Sequence, residues 1–197
     1  MPAFDASYWD DRYREHSSVW GAAPNRWVER EVADLPPGRA LDLACGEGRN
    51  AIWLARLGWQ VTAVDISSVA LAKGAAVEPA VDWVEADATT YEATAPVDLA
   101  LLCFLQLPAE ARRAAVRNAA AALAPGGTLL MIGHDSRNLH DGTGGPQDPA
   151  VLFTAADVAA DLDGTGLRIE KATEELRPVD GAERPAIDAL LRAIKAT

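Results

Sequence analysis

From residue 39 to residue 133, short apolar runs alternate with stretches in which apolar residues recur every three or four positions. Leu41 and Leu43 bracket Asp42 in the first run, which reads as a short buried strand. The run ends at Gly46 and Gly48, and Ala51, Ile52, Leu54, Ala55 and Leu57 follow at helical spacing. Strand, glycine turn and helix thus succeed one another directly. Residues 60–65 are largely apolar and β-branched and end in Asp65, which predicts a second strand. Ser67 is placed to cap a helix over 68–77. Residues 81–86 alternate as a third strand. Residues 97–103 are apolar almost throughout, as in a central strand covered on both faces. A helix rich in alanine and arginine over 110–123 stops at Ala124, Pro125, Gly126 and Gly127, and 128–133 is another buried strand. The alternation predicts an α/β fold with a mostly parallel sheet.

The flanks read differently. Residues 1–38 predict two helices, over 10–15 and 26–35, with a loop over 20–25 and a stop at Pro36, Pro37 and Gly38. Tyr8, Trp9, Tyr13, Trp20 and Trp27 all fall in this segment. Such aromatics either pack helices onto the sheet or close as a lid over a small ligand. Trp9 and Trp27 read as packing; Tyr13, Trp20 and Asn25 read as lid. Residues 134–149 form a long polar loop just past a strand, and loops of this length are usually functional or disordered. Thr154 caps a helix over 155–162 with Asp157 at its third position, and 167–176 reads as a strand. The composition of 185–195 favours a helix.

Composition narrows the function classes. The 197 residues suit one domain, and 49% of them are hydrophobic, enough for a single core. The net charge of −11 argues against non-specific binding to nucleic acid or an anionic membrane. No run of 18 apolar residues is present, so no membrane span is expected. The amino end lacks the basic and apolar regions of a signal peptide, which points to a cytoplasmic protein. The two cysteines, Cys45 and Cys103, are expected to be unpaired, and no metal-ligand spacing occurs.

A glycine turn at the carboxyl edge of a parallel sheet is where α/β proteins bind nucleotides. Asp65 lies 19 residues past Gly46, near the spacing at which an acid reaches a ribose hydroxyl pair. Gly46, Gly48 and Ala51 also satisfy the dinucleotide fingerprint, so an NAD(P)-dependent oxidoreductase fits the glycines. Asp42 is the sharper clue, because a charge inside a buried strand is costly unless paired.

The stretch Arg39-Ala-Leu-Asp-Leu-Ala-Cys-Gly-Glu-Gly-Arg-Asn50 resembles motif I of the Rossmann-like (class I) S-adenosylmethionine-dependent methyltransferases. Trp20-Gly-x-x-Pro-Asn25, Trp53-Leu-Ala55, Gly58-Trp-x-Val-Thr-Ala-Val-Asp-Ile-Ser67, Glu85-Ala-Asp87 and Leu123-Ala-Pro-Gly-Gly127 extend the likeness to the small tellurite-resistance and thiopurine methyltransferase type. The resemblance implies a three-layer fold on a seven-stranded, mostly parallel sheet whose last strand is antiparallel, which turns 185–195 into a strand. It implies one domain over 1–197, with 1–38 a helical lid. It implies S-adenosylmethionine as cofactor, with Asp42 organising the glycine loop and Ala44, Gly46 and Gly48 carrying backbone near its amino-acid end. Arg49 or Asn50 would meet the carboxylate, Asp65 the ribose hydroxyls, Ile66 the adenine face, and Asp87 and Ala88 the adenine edge. Cys103 and Phe104 would lie under the sulfonium.

The implied reaction is methyl transfer to an oxygen, sulfur or chalcogen nucleophile of a small molecule, near Gln106, Arg137 and the lid residues Tyr13, Trp20 and Asn25. The Phe104-Leu-Gln-Leu-Pro108 segment carries no acid or Asn-Pro-Pro-Tyr to hold an amine, which argues against methylation of nucleobase amino groups. His134 and His140 are the candidate bases, with Asp135 as orienter. A non-catalytic module that binds S-adenosylmethionine would show the same cofactor half.

Overall fold

The computed structural model describes residues 5–197, so the first four residues of the amino-terminal segment, part of both the signal-peptide and the lid readings, lie outside it. Its strands are β1 (Arg39–Leu43), β2 (Gln60–Asp65), β3 (Asp82–Glu85), β4 (Val97–Cys103), β5 (Leu123–His134), β6 (Leu167–Arg177) and β7 (Ala186–Lys195). They form one sheet in the order β3-β2-β1-β4-β5-β7-β6. Strands β1 to β5 pair in parallel, and β7 runs antiparallel to both neighbours. The chain starts in the middle of the sheet, moves out to β3, then returns to β4 on the other side of β1. That reversal opens a crevice at the carboxyl ends of β1 and β4.

Side chains alternate across each strand, so the sheet has two apolar faces. Leu41, Leu43, Leu102, Leu129 and Met131 pack against α5 (Ala109–Ala122) and α7 (Ala155–Asp161). Ala40, Leu99, Leu101, Leu130 and Ile132 pack against α2 (Arg26–Val32) and α3 (Arg49–Arg56). The helix α4 (Ser68–Val77) lies on this second face, and α1 (Ala6–Glu15) runs against α4. Three layers result. Ala115, Ala119, Ala120 and Ala122 are buried, so α5 sits close to the sheet, and Arg112 ties it to Asp161 of α7 at 2.7 Å.

One expectation is borne out against composition, and one is corrected. Composition favoured a helix over 185–195, but β7 is the antiparallel strand that the resemblance implied. Wedged between β5 and β6, its residues Ala186 to Leu191 are all buried, and that covering on both faces overrides helix propensity. Nor does β5 wait for the Pro-Gly-Gly turn. Leu123 already faces Val97, the register then jumps to Thr128 opposite Leu99, and 124–127 bulge outward with Gly126 at φ +79°. The loop over 134–149 contains a short helix, α6 (Asn138–Asp141), and runs into a 3-10 turn at Pro149–Val151.

The Trp83 indole on β3 fits between two glycines, Gly48 ahead of α3 and Gly74 in α4, and a Cβ at either would overlap the ring. Trp83 therefore seats the glycine turn on the sheet. Gly74→Ala gains about 1 kcal/mol of helix propensity but overpacks this contact at about 1–3 kcal/mol. It is expected to destabilise the wild type, and to stabilise a Trp83→Phe background, where the outer ring is gone. Urea unfolding of the four proteins checks this; the same sign in both backgrounds would show that the indole is not the obstacle.

Candidate active site at the carboxyl edge of the sheet

The backbone leaves β1 through three left-handed residues, Ala44 (φ +59°), Gly46 (φ +57°) and Gly48 (φ +76°). Ala44 adopts this conformation despite its Cβ, which costs about 1–2 kcal/mol. Gly48 precedes α3 without capping it by a side chain, so the first N–H groups of that helix keep no internal partner. Asp65 at the end of β2 pins the turn. Its Oδ2 accepts from the Gly46 amide at 2.8 Å and its Oδ1 from the Ser67 amide at 2.9 Å. Each oxygen keeps a further lone pair. Burial pushes the Asp65 carboxyl above its ordinary range, against these two amides.

Asp42 is 1% exposed, and neither of its oxygens reaches a hydrogen-bond partner. Burial first, and the Asp65 carboxylate second, push it up to about 7. The Arg49 guanidinium and the Ala51 amide oppose this but do not offset it.

The segment ahead of β1 is fastened over this turn. Tyr13 is buried, and its hydroxyl accepts from Trp20 Nε1 at 3.1 Å. That hydroxyl lies 2.6 Å from where a Cβ on Gly46 would stand. Lys73 of α4 donates to the Tyr13 and His16 carbonyls at 2.5 Å and to Glu47 Oε1 at 3.1 Å. Glu47 Oε2 accepts from the Val19 amide at 2.8 Å, and Arg49 donates to the Trp20 carbonyl at 3.2 Å. Asp10 of α1 accepts from Ser67 Oγ at 2.6 Å. Asn25 caps α2, and its amide donates to Asn50 Oδ1 at 2.8 Å, so both asparagines serve the joint between this segment and α3.

Further along the sheet edge, Ile66 is half-buried after β2, and Ala88 is buried after β3. Asp87 is exposed and binds the Thr89 amide and hydroxyl, both at 2.8 Å. At the end of β4, burial drives the Cys103 thiol up to about 12, so it stays protonated. Phe104 follows at φ +63°, a strained conformation for an aromatic residue. Its amide donates to the Ile132 carbonyl at 2.7 Å.

The Phe104 ring meets the imidazole of His134, with centroids 4.8 Å apart. Burial holds His134 below the ordinary histidine value; the Asp188 carboxylate opposes this and the Arg177 guanidinium supports it. The orienter expected for His134 was Asp135, and this is corrected. Successive β-strand side chains point to opposite faces, and Asp135 Oδ1 accepts from the Arg137 amide instead. The carboxylate beside the imidazole is that of Asp188 on β7, 3.6 Å from Nδ1.

Gln106 is committed to backbone: Oε1 accepts from the His134 amide at 2.8 Å and Nε2 donates to the Val151 carbonyl at 2.6 Å. Arg137 is exposed and pairs with Asp141 and Glu174. His140 is exposed on α6, and its carbonyl accepts from Arg184.

Sequence reasoning missed Glu47, Lys73, Asp10, Arg177 and Asp188. Asp188 carries the same signal as Asp42, a lone acid in an apolar run, but the composition of that run favours a helix and only the resemblance makes it a strand.

The raised value of Asp42 has a stability consequence with a definite sign. The folded state holds a proton there that the unfolded chain releases near pH 4, so the penalty is absent below that and grows until about pH 7. Asp42→Asn is expected to raise the unfolding free energy at pH 8 by about 2–4 kcal/mol, with the gain fading toward pH 4. Urea unfolding across that range measures it; a gain that ignores pH would rule out ionisation of Asp42 as the cause.

Comparison with known proteins agrees with this geometry. Residues 40–127 match the family model described as a methyltransferase domain. A 35-residue stretch is 51% identical to ribosomal RNA small subunit methyltransferase C of Alcanivorax borkumensis, covering 18% of this chain and 11% of that protein. The N-methyltransferase NodS of Bradyrhizobium japonicum, crystallised with S-adenosyl-L-homocysteine, superposes with a TM-score of 0.73 at 16% identity over 98% of both chains. A TehB-like methyltransferase of Corynebacterium glutamicum gives 0.68 at 20% identity, over 96% of this chain and 97% of that one. At these identities the structural likeness is one of fold. Asp42, the glycine turn and Asp65 all lie inside the residues that match the methyltransferase domain model, and the seven-stranded sheet around them has the Rossmann-like fold of these methyltransferase structures.

Proposed function

We propose that this chain moves the methyl group of S-adenosylmethionine onto an oxygen, sulfur or chalcogen atom of a small molecule. Asp42 carries the reading. A buried carboxylate with no partner invites a cation, and the amino-acid end of S-adenosylmethionine offers an ammonium. The pyrophosphate of a nicotinamide dinucleotide would instead meet Asp42 as a like charge, whereas Asp65 suits the ribose of either cofactor. In this reading Ala44, Gly46 and Gly48 give backbone access to the amino-acid end, and Arg49 or Asn50 meets its carboxylate. The spare lone pairs of Asp65 take the ribose hydroxyls. Ile66, Asp87 and Ala88 border the adenine, and Cys103 and Phe104 border the reacting end.

The bound cofactor supplies a methyl group that its sulfonium has already activated. The chain's task is to hold the nucleophile in line and keep water out. We read the segment ahead of β1 as the lid that does so, with Tyr13 and Trp20 over Gly46 and Lys73 and Glu47 as its latch. His134 is the base for an acceptor that is protonated at neutral pH. His140 and Arg137 face solvent in the closed arrangement and contribute to the acceptor pocket only if α6 moves inward. A net charge of −11 suits a small acceptor better than a polyanion. The free thiols of Cys45 and Cys103 suit the reducing cytoplasm.

Calorimetry with S-adenosylmethionine, S-adenosylhomocysteine and NADH tests the donor. Binding of the first two in the micromolar range and none of NADH is expected, and NADH binding alone would falsify the assignment. Asp65→Asn is expected to weaken S-adenosylmethionine binding by about tenfold or more, the worth of one charge-assisted hydrogen bond. Lys73→Met is expected to speed release of S-adenosylhomocysteine in stopped-flow measurements. An unchanged release rate would mean that the segment ahead of β1 is not a lid.

A further inference from the structure

His134, the last residue of β5, sits in a socket built from four elements. Phe104 after β4 lies against its ring, and Gly145 covers it so closely that a Cβ there would stand 2.9 Å from the imidazole. On its Nδ1 side stands Asp188 of β7, which is fully buried. Asp188 is held rigidly: Oδ2 accepts from Trp27 Nε1 at 2.9 Å and from Arg177 Nε at 2.7 Å, and Oδ1 accepts from Arg177 Nη2 at 3.1 Å. Arg177 in turn lies over the Phe104 ring, 5.6 Å from its centre. Nδ1 is buried and has no other partner. The opposite nitrogen, Nε2, is not among the buried side-chain atoms that lack a partner, and the side chain as a whole is 14% exposed.

We propose that Asp188 is a positioning residue that keeps the proton of His134 on Nδ1 and so leaves Nε2 as the proton acceptor beside Phe104. The purpose of this arrangement rests on the methyl-transfer reading; its geometry does not. At 3.6 Å the Nδ1–Asp188 contact is just beyond hydrogen-bond length, and catalytic hydrogen bonds are commonly long until substrate arrives. Arg177 and Trp27 supply what makes Asp188 a fixed orienter, because they occupy its remaining lone pairs and stop it from rotating away. A neutral imidazole with a free Nε2 serves an acceptor hydroxyl, as in an alcohol or a phenol. The hydroxyl proton passes to Nε2 as its oxygen takes the methyl group. The imidazolium then carries the positive charge that the donor gives up, with Asp188 beside it. A thiolate or chalcogenide, already ionised, has no use for such a base.

Two charged groups face the imidazole, Asp188 from β7 and Arg177 from β6. The test needs neither cofactor nor acceptor. The full chain is labelled with nitrogen-15 in its three histidines, and His134→Gln identifies the signal of interest. Long-range proton–nitrogen spectra then report the tautomer and the titration. The expected result is a neutral Nδ1–H tautomer at pH 8 that titrates below an ordinary histidine. Asp188→Asn is expected to lower that titration further and to move the proton toward Nε2, whereas Arg177→Gln is expected to raise it. An Nε2–H tautomer in the wild type overturns the proposal, as does a titration that neither variant moves. Should Asp188→Asn fail to fold, the wild-type tautomer and Arg177→Gln decide alone. Failure to bind S-adenosylmethionine in calorimetry would remove the methyl-transfer reading and leave the tautomer result standing.

Discussion

The charge of Asp42 is the constraint on which the rest of the site depends. β1 is paired on both edges and covered on both faces, so Asp42 cannot turn to water without moving every side chain of the strand to the wrong face. The Gly46 amide of the turn is taken by Asp65. The fold thus places two carboxyl groups close together in a dry place and gives amide partners to only one of them. Local strain of this kind persists only where the surroundings over-determine it. Here they do so with Trp83 seating Gly48, and with Asp65 bridging the turn and the start of α4.

The segment ahead of β1 follows from the same arrangement. Glu47 of the turn and Lys73 of α4 bind each other and backbone groups of that segment, and Tyr13 rests against Gly46. Lys73 brings a positive charge to the rim without touching Asp42. Its partners are two carbonyls within 3 Å and Glu47, so the latch consists of hydrogen bonds on a part-exposed surface. Such contacts are individually weak. They suit the lid proposed for this segment.

The parallel half of the sheet was legible because its signals are local. The Leu41–Asp42–Leu43 run, the glycines and the β-branched run into Asp65 each specify their own element. Ser67 does cap α4, and Thr154 with Asp157 does form a capping box. The edge strand β6 was legible as 167–176, but β7 was not legible from periodicity. Ala186 to Leu191 has the composition of a helix, and only its place between β5 and β6 makes it a strand. Asp188 was lost with it. Glu47 and Lys73 were invisible for a different reason: their partners are carbonyls and amides of the segment ahead of β1, and a backbone acceptor leaves no mark in the sequence.

This division follows the chemistry. Every residue that would hold the donor lies between Asp42 and Phe104 on strands that the chain lays down one after another, so one contiguous stretch encodes them. The groups proposed to face an acceptor, and those that hold them, come from distant places. Trp27 is 161 residues from Asp188, Gln106 is 45 from Val151, and His134 meets an acid on a strand inserted last. The two contacts of Asp188 depend on the order of the strands, with β7 slotted between β5 and β6. A change of a single side chain on β7 can therefore alter the acceptor end while the donor end stays intact. A fold divided in this way keeps one cofactor through many acceptors, and for that reason the donor can be read from residues 40–127 while the acceptor has to be argued from His134 and its neighbours.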